Sequence, residues 1–298
     1  MKPILLAATL LFALQGFWLP APVQAQSAPA ASSLAALRQA AEQGDAAAQH
    51  MLGIAYMNGL GVAQDEAQGM SWLRKALAQG HADTQLMLGR TFYSSEDYPQ
   101  AAEWFRKAAE QGEANAQVML GISYSRGEGV PQDYTMAAEW FRKAAAQGSA
   151  DGQFLLGSAY ARGQGVAQDY AQSTSWYRKA AEQGDVRAQA RVGRAYFGGH
   201  GVPKDYMSAA DWLRKAAAQG DAEAQLLLGV LYGKGFGVPE DPVLAYAWLN
   251  LAAAQGQEDA REPRDALSEY LAPAQLAEAQ RLSSAWKSGQ GIKREPKR

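Results

Sequence analysis

Residues Leu120 to Gly148 read LGISYSRGEGVPQDYTMAAEWFRKAAAQG, and the punctuation of this stretch decides the fold. Just upstream, Ala116 starts a series with Leu120 and Tyr124 at i, i+4 and i+8, one face of a helix. A turn follows, Gly127-Glu128-Gly129-Val130-Pro131-Gln132-Asp133. Its glycines tolerate positive φ, and Val130 is expected to plug into the core. Ala137, Trp140 and Ala144 then mark the buried stripe of a second helix, which stops at Gly148, the residue type that ends helices. The stretch is predicted to be one helical hairpin.

Working outward, the hairpin repeats. Gln-Gly recurs at Gln43, Gln79, Gln111, Gln147, Gln183, Gln219 and Gln255, and Trp at 72, 104, 140, 176, 212 and 248. Fixed-period self-similarity marks stacked supersecondary units. Six repeats are read, at 45–80, 81–112, 113–148, 149–184, 185–220 and 221–256. Before each second helix stands an aspartate (Asp65, Asp97, Asp133, Asp169, Asp205, Asp241), read as a structural N-cap contributing about 1 kcal/mol. Inside each first helix stands a glycine (Gly53, Gly89, Gly121, Gly157, Gly193, Gly229), at a cost of roughly 1 kcal/mol against Ala. Close approach of the partner helix is the expected compensation, with the Trp or a Tyr ring over the missing side chain. The second repeat is shorter, turning through Phe92 to Asp97 without the Gly-x-Gly-Val loop.

The pattern L-G-x-x-Y-x-x-G-x-G-V-x-x-D-x-x-x-A-x-x-W-x-R-K-A-A-x-Q-G, as it stands in Leu120–Gly148, closely resembles the Sel1-like repeat, a relative of the tetratricopeptide repeat. The resemblance covers 45–256. It implies an all-α, right-handed superhelical solenoid of about six helix-turn-helix repeats, and a role in assembling protein complexes, often in the bacterial envelope. A solenoid needs capped ends. Residues 33–44 read as an N-terminal half-repeat and 257–286 as closing helices. Residues 26–32 and the basic 287–298 are expected to be disordered.

Residues 1–25 have the layout of a secretory signal peptide: Lys2, an apolar run from Ile4 to Leu19, and small residues at Val23 and Ala25 for cleavage after Ala25. The alternative is an uncleaved signal anchor. A periplasmic or secreted location is therefore expected, with no integral membrane segment after cleavage. The chain has no cysteine, so packing alone must stabilise it. A net charge of −2 argues against nucleic acid.

Catalytic chemistry finds no footing. His50, His81 and His200 occupy different repeat positions, and neither H-E-x-x-H nor G-x-S-x-G occurs. Ser284-Ala285-Trp286-Lys287 matches S-x-x-K without its companion motifs. No catalytic, cofactor or metal site is assigned, and the loops lack a phosphate-binding ending.

Binding residues are sought where one repeat breaks the others' rule. Met51, Met87, Met119, Leu155, Arg191 and Leu227 share a position, and Arg191 is the outlier. Arg187 and Arg194 lie at i−4 and i+3 from it, and Arg90 occupies in the second repeat the position that Arg194 holds in the fifth. These arginines are either a solvated face or an anion-recognising patch. Tyr93 and Phe197, read as exposed, are the candidates for glycan stacking, whereas the Arg-Lys pairs are assigned to the outer face of the second helices. The leading expectation is a monomeric extracytoplasmic scaffold for protein partners. Envelope glycan binding, or a secreted effector or adhesin, remain alternatives.

Overall fold

The computed structural model describes residues 31–292 and Arg294. The expected leader at 1–25 lies outside the described residues, as do 26–30, Lys293 and 295–298. Among the described residues there are fifteen α-helices, one 3-10 turn and no strand. A lone α1 (Ala31–Glu42) precedes six hairpins, each of a first helix A and a second helix B. They are α2 (Ala46–Asn58) with α3 (Glu66–Ala78), α4 (Ala82–Ser94) with α5 (Tyr98–Glu110), and α6 (Ala114–Arg126) with α7 (Tyr134–Ala146). Then come α8 (Ala150–Arg162) with α9 (Tyr170–Glu182), α10 (Val186–Gly198) with α11 (Tyr206–Ala218), and α12 (Ala222–Lys234) with α13 (Pro242–Ala254). The 3-10 turn Glu258–Ala260, α14 (Arg261–Tyr270) and α15 (Pro273–Ala285) follow. No described helix is long and apolar enough to cross a membrane. The hairpins pack sequentially as an α-solenoid, in two compact units that run to residue 144 and from residue 145.

Each helix starts and stops on local chemistry. Asp65, Asp97, Asp133, Asp169, Asp205 and Asp241 all accept backbone N–H bonds from the first turn of their B helix, Asp133 from Thr135 at 2.8 Å and Met136 at 3.0 Å. The Gln68 backbone N–H holds the Asp65 carboxyl below its ordinary value, and the Ser208 hydroxyl does the same for Asp205. Asp45, Glu113, Ser149, Asp185 and Asp221 cap A helices in the same way, a second series that the B-helix pattern overshadows. Five A helices end on a left-handed glycine, Gly59, Gly127, Gly163, Gly199 and Gly235. In the short second repeat α4 ends at Ser95 instead, and Glu96 takes φ 60°.

Hairpin packing centres on the A-helix glycines. A Cβ on Gly121 would stand 2.5 Å from the Phe141 ring, and on Gly89 2.6 Å from Phe105. Leu73, Tyr177, Leu213 and Leu249 fill the same place opposite Gly53, Gly157, Gly193 and Gly229. The side chain over each glycine is thus the residue after the Trp, not the Trp itself. One position along the B helix rotates the Trp to the hairpin's flank. There Lys75, Lys107, Lys143, Lys179 and Lys215 lie 3.7–4.3 Å from the centroids of Trp72, Trp104, Trp140, Trp176 and Trp212. The paired arginines turn elsewhere: Arg106, Arg178 and Arg214 donate to Tyr124, Tyr196 and Tyr232 of the following A helix. Arg38 of α1 does the same to Tyr56, which sets α1 in B-helix register. Three of the five paired arginines therefore tie a B helix to the next repeat, while the lysines stay on the exposed outer face.

A glutamine relay recurs at repeat junctions within both units. Gln79 donates to Gln49 at 2.8 Å, and Gln49 donates to the Ala41 carbonyl of the preceding helix at 3.0 Å. Gln219 to Gln189 to Ala181, and Gln255 to Gln225 to Ala217, repeat the arrangement in the second unit. The buried member is the A-helix glutamine (Gln49, Gln189, Gln225), which is partnered on both sides, while the Gln of Gln-Gly that bonds it is exposed.

Two boundaries move. The segment expected to be disordered through residue 32 is already helical from Ala31. The segment expected to be a disordered tail from 287 folds back on the second unit. Gly289 N–H donates to the Ala218 carbonyl at 2.7 Å, and the Ser288 hydroxyl to that of Gln219 at 3.1 Å. Arg294 binds both oxygens of Asp241 at 2.7 Å and reaches Glu278 at 2.9 Å. Basic character serves here to close an end, since Arg294 answers a cap aspartate.

His50 and His81, at different repeat positions, nevertheless meet in the first unit. Their ring centroids are 5.1 Å apart, and their Nδ1 atoms lie 2.9 and 3.2 Å from the buried Thr84 hydroxyl. Burial first, then His81, lowers the His50 pKa from 6.5, while Asp83 opposes the shift. The folded chain thus binds fewer protons than the unfolded chain just below that value. The contribution of His50 to stability is complete above the unfolded pKa and lost as pH falls through the folded one.

Two outcomes follow from this packing. Gly121→Ala should destabilise by about 1–3 kcal/mol despite the better helix propensity of Ala, because Phe141 must yield; urea unfolding measures this, and a neutral result rules out the contact as the reason for the glycine. The thermal midpoint should drop between about pH 7 and pH 5, and His50→Gln should flatten that drop. Parallel curves for the two proteins would remove His50 from the account.

Candidate functional site

The A helices turn one face away from the hairpin core, and each repeat contributes three positions to it: six before, two before and one after the A-helix glycine. In the first unit these are Ala47, Met51 and Ile54 on α2, Asp83, Met87 and Arg90 on α4, and Asn115, Met119 and Ile122 on α6. Met51 is 59% exposed. Met87, Met119, Ile54 and Ile122 are half-buried, the first three lying against the core cluster around Phe105 and Leu120, with part of each side chain left to solvent. Arg90 is exposed, and its guanidinium has no partner among the described residues. The result is a band of thioether and branched apolar side chains with charge beside it.

In the second unit the same positions hold Asp151, Leu155 and Ser158 on α8, Arg187, Arg191 and Arg194 on α10, and Glu223, Leu227 and Val230 on α12. The three arginines are brought together, yet none is free for an incoming anion. Arg187 pairs with Asp151 of the preceding repeat and with its own cap Asp185, both at 2.5 Å, and its guanidinium lies 4.3 Å from the Phe154 ring centroid. These carboxylates, Asp185 foremost, raise its already high pKa. Arg191 and Arg194 share Glu223 of the following repeat, at 3.2 and 3.0 Å. Acids one repeat before and after the arginines convert the expected anion patch into an inter-repeat ion-pair ladder. The signal lay in the column Asp151, Arg187, Glu223, legible only once the repeats are aligned side by side.

The aromatic candidates also change character. Tyr93 is half-buried; its hydroxyl donates to Glu128 at 2.9 Å and accepts from Arg126 at 3.0 Å. Burial and the Glu128 hydrogen bond raise its pKa. Phe197 is half-buried with its ring edge against Tyr206, centroids 5.7 Å apart. Both rings are thus partly taken up by a neighbouring tyrosine and less exposed than the sequence suggests. Among the described residues no group of three or more His, Cys, Asp or Glu could hold a metal ion. The Ser284–Lys287 motif runs from the end of α15 into the strap that docks through Trp286, which stands 3.5 Å from where a Cβ on Gly220 would be.

Family comparison agrees with the repeat frame read from the helices. The Sel1 repeat model matches six times, at 46–81, 82–113, 114–149, 150–185, 186–221 and 222–257. Among solved structures, a Sel1 repeat protein from Oxalobacter formigenes is similar at 34% identity and TM-score 0.53, over 78% of each chain. A protective antigen of uropathogenic Escherichia coli strains, described as displaying an SLR fold, is 32% identical over 89% of this chain and 76% of its own, with TM-score 0.34. No curated protein matches. Six consecutive matches across hairpins that share caps, glycines and glutamine relays leave one assignment: the chain belongs to the Sel1 repeat family.

Proposed function

We propose that this protein is an extracytoplasmic protein–protein interaction scaffold that engages its partner through the A-helix face of its first three repeats. The observation that carries this reading is the band formed by Met51, Ile54, Met87, Met119 and Ile122. Apolar groups aligned across successive repeats and open to solvent are costly to a monomer, and they mark contact surfaces. Methionine suits such a surface because its flexible, polarizable side chain adapts to a partner's shape. The Sel1 repeat commonly serves as a protein-binding scaffold, which supports the class of function. The export reading rests on the sequence of residues 1–25.

Crosslinking a C-terminally tagged protein in cells, with the envelope and the medium purified separately, tests the surface. Met51→Glu combined with Met119→Glu should remove a discrete protein partner while leaving the thermal midpoint within a few degrees. Arg191→Ala with Arg194→Ala should retain the partner, because those guanidiniums already serve Glu223 in partly exposed pairs worth about 1 kcal/mol or less. Loss of the partner in the arginine variant and not in the methionine variant would move the site to the second unit. Recovery of wall polymer alone would favour the glycan alternative. N-terminal sequencing of the exported protein should begin at Gln26, and a product that retains Lys2 would exclude cleavage.

A further inference from the structure

The sixth repeat carries glycine at a position where three other repeats place a bulky side chain. Four residues after the A-helix glycine, the repeats carry Met57, Tyr93, Ser125, Ala161 and Phe197, and here Gly233. Met57 packs tightly over Gly69, Tyr93 sits edge-on to Tyr98, and Phe197 to Tyr206. At Gly233 nothing fills that place. A Cβ there would meet only the Ala245 Cβ at 3.5 Å, an ordinary contact, and its backbone is not in the left-handed region. The glycine is therefore not required by close approach, unlike Gly229 one turn earlier, whose Cβ would stand 2.7 Å from Leu249.

The omitted side chain leaves a cavity of about 320 Å³ between α12, α13 and α14. Leu249, which is 1% exposed, lies at its inner wall, and Pro263 and Leu267 of α14 form the facing side. The polar side chains on the lining are Lys234 and Tyr270, both exposed, with no carboxylate among the lining residues. The Lys234 ammonium has no partner among the described residues, and Tyr270 is 75% exposed. The nearest basic residue of α14, Arg264, is committed to Asp265 at 2.6 Å. A free cation and a phenol thus stand beside an apolar recess of the size that holds a ring or a short branched chain.

We propose that this cavity is a binding site for a small amphiphilic carboxylate, its apolar group seated between Leu249 and Leu267 and its carboxylate outside against Lys234 and Tyr270. Apolar burial supplies affinity, and the charge-assisted bond to Lys234 supplies the preference for an acid. The site lies in the last repeat and does not depend on the protein-binding reading of the first unit.

The probes are 3-phenylpropanoate and its neutral analogue 3-phenylpropan-1-ol, titrated into the exported protein and followed by protein-observed NMR. The acid should bind saturably with a Kd on the order of 1–5 mM, shifting resonances of α12 and α14, and the alcohol should bind about fivefold more weakly. Lys234→Gln should bring the acid down to the affinity of the alcohol and leave the alcohol unchanged. Gly233→Phe, which restores the side chain present at Phe197, should abolish both without lowering the thermal midpoint. If that variant unfolds, Ala266→Phe fills the cavity from the α14 side and should give the same loss. Equal affinity for acid and alcohol, shifts elsewhere in the chain, or binding that persists in a folded, filled variant each overturns the proposal, as does the absence of saturation up to about 20 mM.

Discussion

The contact between an A-helix glycine and the side chain that follows the Trp is the constraint on which the rest of the molecule depends. Two helices can approach this closely only if one of them lacks a Cβ at the crossing. In exchange, a full ring or leucine side chain is buried, Phe105 and Leu213 to complete exclusion from solvent. Losing such a side chain costs about 3–5 kcal/mol for an aromatic and 2–5 kcal/mol for leucine, which exceeds the roughly 1 kcal/mol helix penalty of glycine. Once the crossing is set, the Trp has one place to go, on the flank under its lysine. The tyrosine of the next A helix likewise comes within reach of the neighbouring arginine. The Lys–Trp and Arg–Tyr contacts are thus consequences of one close approach, repeated.

Repetition of the junction also separates structure from recognition. The glutamine relays and N-caps satisfy buried or terminal backbone groups at fixed positions, and these positions have little freedom to change. The solvent side of the A helices carries none of those duties. It is apolar in the first unit and charged at α10 in the second, where Asp151 and Glu223 neutralise the arginines from both sides. A surface that supplies its own counter-ions is a poor receptor for a foreign anion. An apolar band left partly open to solvent is a better one for protein.

How much of this was legible in the sequence follows from the range of each interaction. Hairpins, caps and turns depend on residues within one period, and Leu120–Gly148 displays them directly. Which side chain covers Gly121 required a choice between Trp140 and Phe141, adjacent residues about 100° apart on a helix, and periodicity alone did not make it. The inter-repeat partners of Arg187, Arg191 and Arg194 stand 29–36 residues away, visible only as a column across repeats. His50 and His81 meet because His81, at the start of one A helix, lies beside the preceding A helix, both rings reaching Thr84. The docking of Arg294 on Asp241, 53 residues away, has no local signature at all. Composition described that tail as basic and solvated, and geometry made it a strap.

The last repeat shows how few changes turn an internal unit into an end. Asn250 and Leu251 stand where other repeats carry Arg and Lys, and with Leu251 the lysine that covers the Trp elsewhere is replaced. Trp248 is instead buried to 2% exposure, with Leu251, Trp286 and Ile292 packed around the same cluster, while Asn250 donates to Ser283 of α15 at 3.0 Å. An aromatic that elsewhere rests under a lysine has become core for the closing elements. Gly233 belongs to the same shift. The closing helix α14 packs against this hairpin without following the repeat's own side-chain filling, and so leaves a recess beside Leu249. Solenoids stabilise their interior by sameness, whereas an end must be improvised from a different neighbour, and it is at such a mismatch that a cavity can persist without loss to the repeats behind it.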